Sequence, residues 1–166
     1  MEPKSISLAR AYVGRQEFDG QNRGHVLDCI MDGLNLPRGV SWCGAFVTWC
    51  LMRSYAHTKP DLRRILGFSS PWYCDSTRDW LAQAKALDMI VQQPEAGDLF
   101  VLLDSRGMAH HIGFVTIPPD VIGDFGTIEG NTNAGGSVNG DGVYCRTRRA
   151  TDSVRFIRLP KELKAP

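Results

Sequence analysis

A cysteine and a histidine stand in sequence surroundings that suit nucleophilic chemistry. Cys43 lies in the segment SWCGAFV, and His111 lies further along the chain in the segment HHIGFV. A thiol attacks carbonyl carbons well only as the thiolate, which a nearby imidazole can produce by accepting the proton. The two residues therefore predict a cysteine nucleophile and a histidine base that act together on a carbonyl group.

The residues around Cys43 predict that it lies at the start of a helix. Pro37 and Gly39 interrupt the chain, and apolar residues at positions 46, 47, 50 and 51 then follow at helical spacing from about Trp42 onwards. The free backbone N–H groups of a helix start favour a thiolate and can bind the oxyanion of a tetrahedral intermediate. Gly44 leaves room for a substrate carbonyl to approach that backbone.

The residues around His111 predict a strand over His111–Ile117, which is a rigid support for a base. Because side chains alternate along a strand, only one of His110 and His111 can face the cysteine. Gly113 shares the face of His111 and leaves room above the sheet for a helix end and a substrate. We therefore expect His111, and not His110, to be the base.

A third group must accept a hydrogen bond from the other imidazole nitrogen to hold the ring in place. The next predicted strand, Thr127–Asn131, carries two candidates on one face, Glu129 and Asn131. Glu129 suits the role by its order in the chain and its residue type. The sequence leaves open whether Asn131 orients the histidine instead or assists.

The elements that must position these groups change type halfway along the chain. Apolar spacing predicts helices over 6–13, over 26–34, from Trp42, and from a capping box at Ser76 and Asp79 through Ala84. Alternating patterns then predict five strands: Asp98–Leu103, His111–Ile117, Thr127–Asn131, Gly142–Arg148 and Val154–Leu159. This order indicates an α+β fold with N-terminal helices packed on a C-terminal antiparallel sheet, in a single domain of residues 1–166.

Composition and charge are those of an ordinary soluble protein. Of the 166 residues, 43% are hydrophobic and 22% are charged, and the formal net charge is +1. This balance gives no electrostatic reason to expect nucleic acid or a membrane as a partner. Five arginines crowd the last predicted strands, and we interpret them as a solvated face: Arg146, Arg148, Arg149, Arg155 and Arg158.

The five cysteines are an odd number at irregular spacing, which fits neither complete pairing within the chain nor a zinc site. We therefore expect no metal and no cofactor. Apart from Cys43, the cysteines are interpreted as small apolar core residues: Cys29, Cys50, Cys74 and Cys145. The N-terminal segment lacks the apolar stretch of a secretory signal, so we expect synthesis in the cytoplasm without a signal peptide.

Four motifs taken in order resemble a known family. The segments WCGAFV, Gly97-Asp98-Leu99, HIGFV and Glu129-Gly130-Asn131 are similar to those of the CHAP family of cysteine- and histidine-dependent amidohydrolases and peptidases, and the resemblance runs from about Ala9 to Arg148. It implies a papain-like fold and hydrolysis of a peptidoglycan amide, either N-acetylmuramoyl-L-alanine or a bond of the stem or cross-bridge peptide.

The resemblance also implies a role for each site residue. Cys43 matches the nucleophile, His111 the base, Glu129 the orienting carboxylate and Asn131 the supporting amide. Some phage members carry an acidic calcium loop before the cysteine, but the segment Leu36–Ser41 contains no carboxylate. The expectation of no metal therefore holds for this resemblance too.

Three aromatic residues are candidates for the walls of a substrate cleft: Trp42, Trp72 and Tyr73. Core packing is the alternative for each. The expected partners are peptidoglycan and, for a chain released or delivered to the wall as a phage lysin or antibacterial effector, delivery machinery and an immunity or inhibitor protein. We expect a monomer. The alternative functions are a papain-like amidase or transamidase acting on a non-wall amide, and a catalytically silent wall-binding module.

Overall fold

Helices form in the first half of the chain, where apolar residues follow helical spacing. The computed structural model describes residues 1–18, 22–68, 76–133, 135 and 140–166. Within these ranges the helices are α1 (Lys4–Ala11), α2 (His25–Leu34), α3 (Cys43–Ser54), α4 (Lys59–Leu66) and α5 (Thr77–Ala86), with a short 3-10 turn at Lys161–Leu163. Helix α1 buries Ile6 and Ala9 but ends before Val13, which is exposed.

Strands form the second half and join in one sheet. They are β1 (Ile90–Val91), β2 (Leu99–Leu103), β3 (Ala109–Ile117), β4 (Asp124–Thr132), β5 (Gly142–Arg149) and β6 (Val154–Ile157). The order across the sheet is β1-β6-β2-β3-β4-β5, and every neighbouring pair is antiparallel. The predicted α+β fold, with helices followed by an antiparallel sheet, is confirmed.

Two short elements were not predicted from the sequence. Helix α4 has a clear local signal, because Thr58 and Asp61 form a capping box and the helix buries Leu62 and Leu66. Strand β1 has only two residues, too few to show an alternating pattern. Within the described ranges, no helix combines the length and the apolar character needed to cross a membrane.

The central strands of the sheet are largely buried on both faces. The helices cover one face, where Ile112, Phe114 and Ile128 belong to the main core. Side-chain alternation assigns His111 and Gly113 to the opposite face, and the His111 ring lies 6.0 Å, between centroids, from a phenylalanine ring there. That face carries a smaller apolar cluster, formed by Phe100, Val115, Phe125, Val154 and Phe156. The side chain of His111 is therefore shielded from water by this second apolar cluster.

A fully buried carboxylate, Asp98, ties the sheet to the C-terminal segment. It accepts hydrogen bonds from the backbone N–H of Leu159 at 3.0 Å and from Arg158 Nε at 2.8 Å, and Lys164 Nζ lies 3.0 Å away. Arg158 is thus paired with a buried acid, while its own side chain keeps 35% of its surface exposed. The Gly-Asp-Leu motif has a structural part in this fold, because Asp98 fixes the start of β2.

Candidate active site

Cys43 is the first residue of α3, as the sequence predicted. Among the described residues, the N-cap residue Trp42 provides no side-chain hydrogen bond to the first turn. Helices α4 and α5 differ, because Thr58 and Ser76 cap them through their hydroxyl groups. The N–H groups that open α3 therefore remain available for negative charge on Cys43 or on a bound substrate.

Trp42 itself lies in the core and is only 3% exposed. Its indole Nε1 donates a hydrogen bond to Glu17 Oε1 at 2.7 Å, and its ring meets Phe46 edge to face at 6.1 Å between centroids. The structure thus gives Trp42 the core-packing position that was the alternative to lining a cleft. Trp72 and Tyr73, the other two candidates for the cleft wall, lie outside the described residues.

His111 and Glu129 meet in the interior of the sheet. Nε2 of His111 lies 2.8 Å from Oε2 of Glu129, and both side chains are fully buried. His110, on the alternate side of the strand, is exposed. Of the two adjacent histidines, His111 is therefore the one held by a buried carboxylate, and its role as the base stays a prediction.

Gly113 leaves room for different groups from those that the sequence predicted. A Cβ atom on Gly113 would lie 2.7 Å from the Phe100 ring and 3.1 Å from Cγ of Glu129. The space at Gly113 is thus filled by Glu129 and Phe100, rather than by a helix end and a substrate. Gly113 allows the carboxylate stem to cross β3 and reach the imidazole.

The other imidazole nitrogen of His111, Nδ1, is not engaged by Glu129. Among the described residues, Nδ1 of His111 is buried without a standard hydrogen bond. Cys43 and His111 nevertheless lie close enough to shift each other's pKa. Because Nε2 is engaged by Glu129, Nδ1 is the nitrogen left to exchange a proton with the sulfur.

The pKa values of the pair favour a thiolate and an imidazolium. Burial would raise the pKa of the Cys43 thiol, but the hydrogen-bonding and charge effects of His111, aided by Thr77 and the Ile112 backbone, lower it overall. Burial would lower the pKa of His111, but Cys43 and Glu129 together raise it to about 9. The arrangement therefore favours the charged forms of both groups, which an activated thiol nucleophile and a proton donor would need.

Arg148 completes the charged group, so the prediction that it lies on a solvated face was wrong. Its Nε donates to Glu129 Oε1 at 2.6 Å, a second guanidinium nitrogen donates to Oε2, and its side chain is only 16% exposed. The Thr127 hydroxyl donates to the same Oε1 at 2.5 Å. Burial opposes the charge on Glu129, yet Arg148 and His111 lower its pKa to about 2.

A sequence signal for Arg148 does exist. Register pairs Glu129 with Tyr144, Thr127 with Arg146 and Phe125 with Arg148, so alternate residues of β5 share a face with Glu129. A carboxylate expected to be buried on β4 needs a cation from a neighbouring strand. Strand β5 carries arginines at alternate positions, but the sequence does not tell which of them reaches the acid.

Asn131 lies in the site region but does not meet the histidine. Its Nδ2 donates to Ser41 Oγ at 2.7 Å, its side chain is fully buried, and its Oδ1 has no partner among the described residues. Its φ of 57° is left-handed, and the β4–β5 register shifts between Glu129 and Thr132. The irregularity breaks the alternation that placed Asn131 on the face of Glu129, so Glu129 alone of the two contacts the imidazole.

The other described cysteines lack this environment. Cys50 is buried within α3, and burial raises the pKa of its thiol. Cys29 and Cys145 are exposed, so their interpretation as core residues was wrong. Cys29 lies on the outer side of α2, and Cys145 lies at an outward position of β5. The prediction for Cys74 falls outside the described residues.

A cavity of about 370 Å³ opens beside the sulfur of Cys43. Thr77 Oγ1, at the start of α5, lies 3.5 Å from Cys43 Sγ. A larger cavity of about 510 Å³ lies between β1, β6 and the segment after β3, but neither a cysteine nor a histidine lines it. The described chain holds no group of three or more His, Cys, Asp or Glu able to bind a metal ion. The lining of the smaller cavity is Ser41, Cys43, Ser76, Thr77, Arg78, Ala109 and His110.

Comparison with known families agrees with this geometry. The sequence model of the CHAP domain matches residues 35–131, more than half of the chain and a range that contains Cys43, His111 and Glu129. The chain therefore belongs to the CHAP domain family, whose members are in general amidases and peptidases associated with peptidoglycan. No curated protein matches the chain. Arg148, which pairs with Glu129, lies beyond the matched range.

Proposed function

We propose that the protein is a peptidoglycan hydrolase that cleaves an amide bond through a thioester on Cys43. One observation carries the proposal: a thiol at an uncapped helix start, paired with a buried His111–Glu129 couple, opens into a cavity. A merely structural cysteine would have its thiol pKa raised by burial, as Cys50 does. Family membership supports the amide as the bond type.

In the first half of the proposed reaction, the Cys43 thiolate attacks the amide carbonyl carbon and forms a C–S bond. The carbonyl oxygen takes the negative charge and accepts hydrogen bonds from the N–H groups at the start of α3. The hydroxyl of Ser41, which lines the cavity and is held by Asn131, is a candidate second donor. The His111 imidazolium then donates its Nδ1 proton to the leaving amine, and the C–N bond breaks.

In the second half, His111 accepts a proton from a water molecule whose oxygen attacks the thioester carbonyl. The C–S bond breaks, a carboxylic acid leaves, and the thiolate and imidazolium are restored together. Glu129 holds the ring through Nε2 and keeps Nδ1 turned toward the sulfur in both halves. Arg148 and Thr127 act on the reaction through Glu129, because they fix its two oxygens.

The charges of the cavity suit an anionic substrate. Arg78 is exposed there, and the described residues that line the cavity include no carboxylate. Peptidoglycan stem peptides carry free carboxylates close to their amide bonds, so Arg78 can bind one electrostatically. Both N-acetylmuramoyl-L-alanine and a stem or cross-bridge amide remain within the proposal, whether the chain acts as a phage lysin or as an antibacterial effector.

Digestion of purified peptidoglycan, with mass spectrometry of the muropeptides, tests the proposal. The wild type should generate a new amine and a new carboxylate at one bond, whereas Cys43→Ala should generate neither. Cys50→Ala, which removes another thiol from the same helix, should retain activity and is the matched control. Equal activity of Cys43→Ala and the wild type would overturn the mechanism. Unchanged muropeptides with the wild type would overturn peptidoglycan as the substrate.

A further inference from the structure

Thr77 is a second side chain in contact with the reacting sulfur. Its Oγ1 lies 3.5 Å from Cys43 Sγ, and the residue is only 8% exposed. It is the first residue of α5 and lines the same cavity as the thiol. The contact joins two residues that are 34 positions apart, so it depends on how α5 and α3 are placed around β3.

The hydroxyl of Thr77 is not needed to cap its own helix. Ser76 performs that task, since its Oγ accepts a hydrogen bond from the backbone N–H of Asp79 at 3.3 Å. Within the described part of the chain, Cys43 Sγ is the side-chain partner within reach of Thr77 Oγ1. A buried hydroxyl that lost this partner would lie unsatisfied in the protein.

The charge state of the sulfur sets the direction of this hydrogen bond. A thiolate has no proton to give, so the Thr77 hydroxyl must donate and the sulfur must accept. Donation to an ionised acceptor is stronger than donation to a neutral one, so the contact favours the thiolate over the thiol. Thr77 therefore acts on the sulfur from the α5 side, separately from the contribution of His111.

We propose that Thr77 is a further catalytic residue, whose hydroxyl donates a hydrogen bond to the Cys43 thiolate and holds it ionised and aimed into the cavity. This inference rests on the proposed role of Cys43 as nucleophile, but not on the identity of the substrate. During attack the sulfur gives up its charge to the carbonyl oxygen. The hydroxyl then loses its ionised acceptor, so the contact is weaker in the thioester than in the free enzyme.

Thr77→Val removes the hydroxyl and keeps the branched shape, and Thr77→Ser keeps the hydroxyl and removes the methyl group. The rate of Cys43 alkylation by iodoacetamide, followed from pH 5 to 10 by peptide mass spectrometry, reports the thiolate without any wall substrate. We expect the Val variant to react roughly three- to tenfold more slowly than the wild type near neutral pH, because an ionised acceptor has lost its donor. The Ser variant should react at nearly the wild-type rate.

Two internal controls separate the hydroxyl from the packing. The exposed thiols of Cys29 and Cys145 should react equally in all variants, which controls for the reagent, and the buried thiol of Cys50 should stay protected, which reports that the fold is intact. At the alkaline end the Val variant and the wild type should converge, because both thiols are then ionised, whereas a blocked site would stay slow. A Val variant with the wild-type pH profile, or a Ser variant as slow as Val, would overturn the inference.

The alkylation test is independent of the proposed function. Suppose that Thr77→Val alters the pH profile of alkylation and that the wild type leaves muropeptides unchanged. The role of Thr77 then stands, and peptidoglycan is rejected as the substrate. If the wild type hydrolyses peptidoglycan but the pH profile of alkylation is unaltered in Thr77→Val, the proposed function stands and the proposed role of Thr77 is rejected. The two failures are therefore distinguishable.

Discussion

Replacing Glu129 by glutamine removes one negative charge from the centre of the site and little else. The carboxylate lies 2.8 Å from His111 Nε2 and accepts hydrogen bonds from Arg148 and Thr127, with no exposure to water. Glutamine matches its shape and offers one acceptor oxygen. The Arg148 charge, however, then loses its buried counter-ion, and the imidazolium loses the carboxylate that stabilises it.

The size of the effect follows from the pKa of His111. Cys43 and Glu129 together raise that pKa from 6.5 to about 9 against the opposing effect of burial. Losing the share of Glu129 should lower it by about 1 to 2 units, which shifts the equilibrium from the thiolate–imidazolium pair towards the neutral thiol and imidazole by about 10- to 100-fold. We therefore expect kcat/KM to fall in Glu129→Gln by up to about this factor.

The pH profile provides the sharper measurement. In the wild type, activity should decline on the alkaline side near pH 9, where His111 loses its proton. In Glu129→Gln the imidazolium is less stable, so this decline should move to lower pH. The acid limb should not move to higher pH, because His111 is still protonated there and Glu129 does not act on the thiol directly. The active range should therefore narrow from its alkaline side.

Hydrolysis of purified peptidoglycan and alkylation of Cys43 should both be followed against pH. Asp124→Asn is the matched control, because Asp124 pairs with Arg149 across the same two strands at an exposed position. Its profile should coincide with that of the wild type. A folded Glu129→Gln protein with an unmoved alkaline limb would refute the charge coupling between Glu129 and His111.

Three further outcomes are expected. Ser41→Ala and Asn131→Gly should each lower kcat. The double variant should lose little more activity than the more impaired single variant, because Asn131 acts through Ser41. Additive losses of activity would contradict this coupling. Arg78→Ala should raise KM for substrates with a free carboxylate about tenfold and spare amidated ones; equal effects on both would exclude a carboxylate contact. The wild type should lose stability as the pH falls from 4.5 towards 2, since Glu129 has a pKa of about 2 in the folded protein.

The sign of the last prediction follows from proton binding. Below pH 4.5, Glu129 binds a proton in the unfolded chain but stays ionised in the folded protein. A falling pH therefore favours unfolding. Above pH 4.5 the contribution of ionised Glu129 to the free energy of unfolding is fully present, at about 3 kcal/mol for a pKa shift of this size. Thermal denaturation of the wild type and Glu129→Gln across this range measures the difference. Parallel curves for the two proteins would show that Glu129 does not contribute.

The helix start at Cys43 and the inward position of His111 could be predicted because their signals are local. Cys43 is marked by the apolar spacing of the helix that follows it, and the strand pattern separates His111 from His110. The reason given for His111 was nevertheless incomplete. Gly113 makes room for the side chain of Glu129, a contact between neighbouring strands that one strand pattern cannot show.

The parts that were missed depend on register and on long side chains. Asn131 was expected to share a face with Glu129, but a left-handed residue at a shift in register ended the alternation. Arg148 was treated as exposed because alternate strand positions normally are. Its guanidinium instead reaches a buried acid, and the strand register alone does not reveal this, because it places Arg146 nearer to Glu129 than Arg148.

The four charged groups of the site alternate in sign, and this order bears on the proposed reaction. Arg148 is positive, Glu129 negative, His111 positive and the Cys43 thiolate negative, so each buried charge has an opposite neighbour. Attack on a carbonyl moves the negative charge from the sulfur to the substrate oxygen, so the His111 imidazolium keeps Glu129 but loses the thiolate as a counter-ion. The pKa of the imidazolium must then fall, because Cys43 is one of the two groups that raise it. Proton donation to the leaving amine thus becomes favourable at the step that requires it. Because Glu129 is also paired with Arg148, its carboxylate stabilises the imidazolium less than an unpaired carboxylate would.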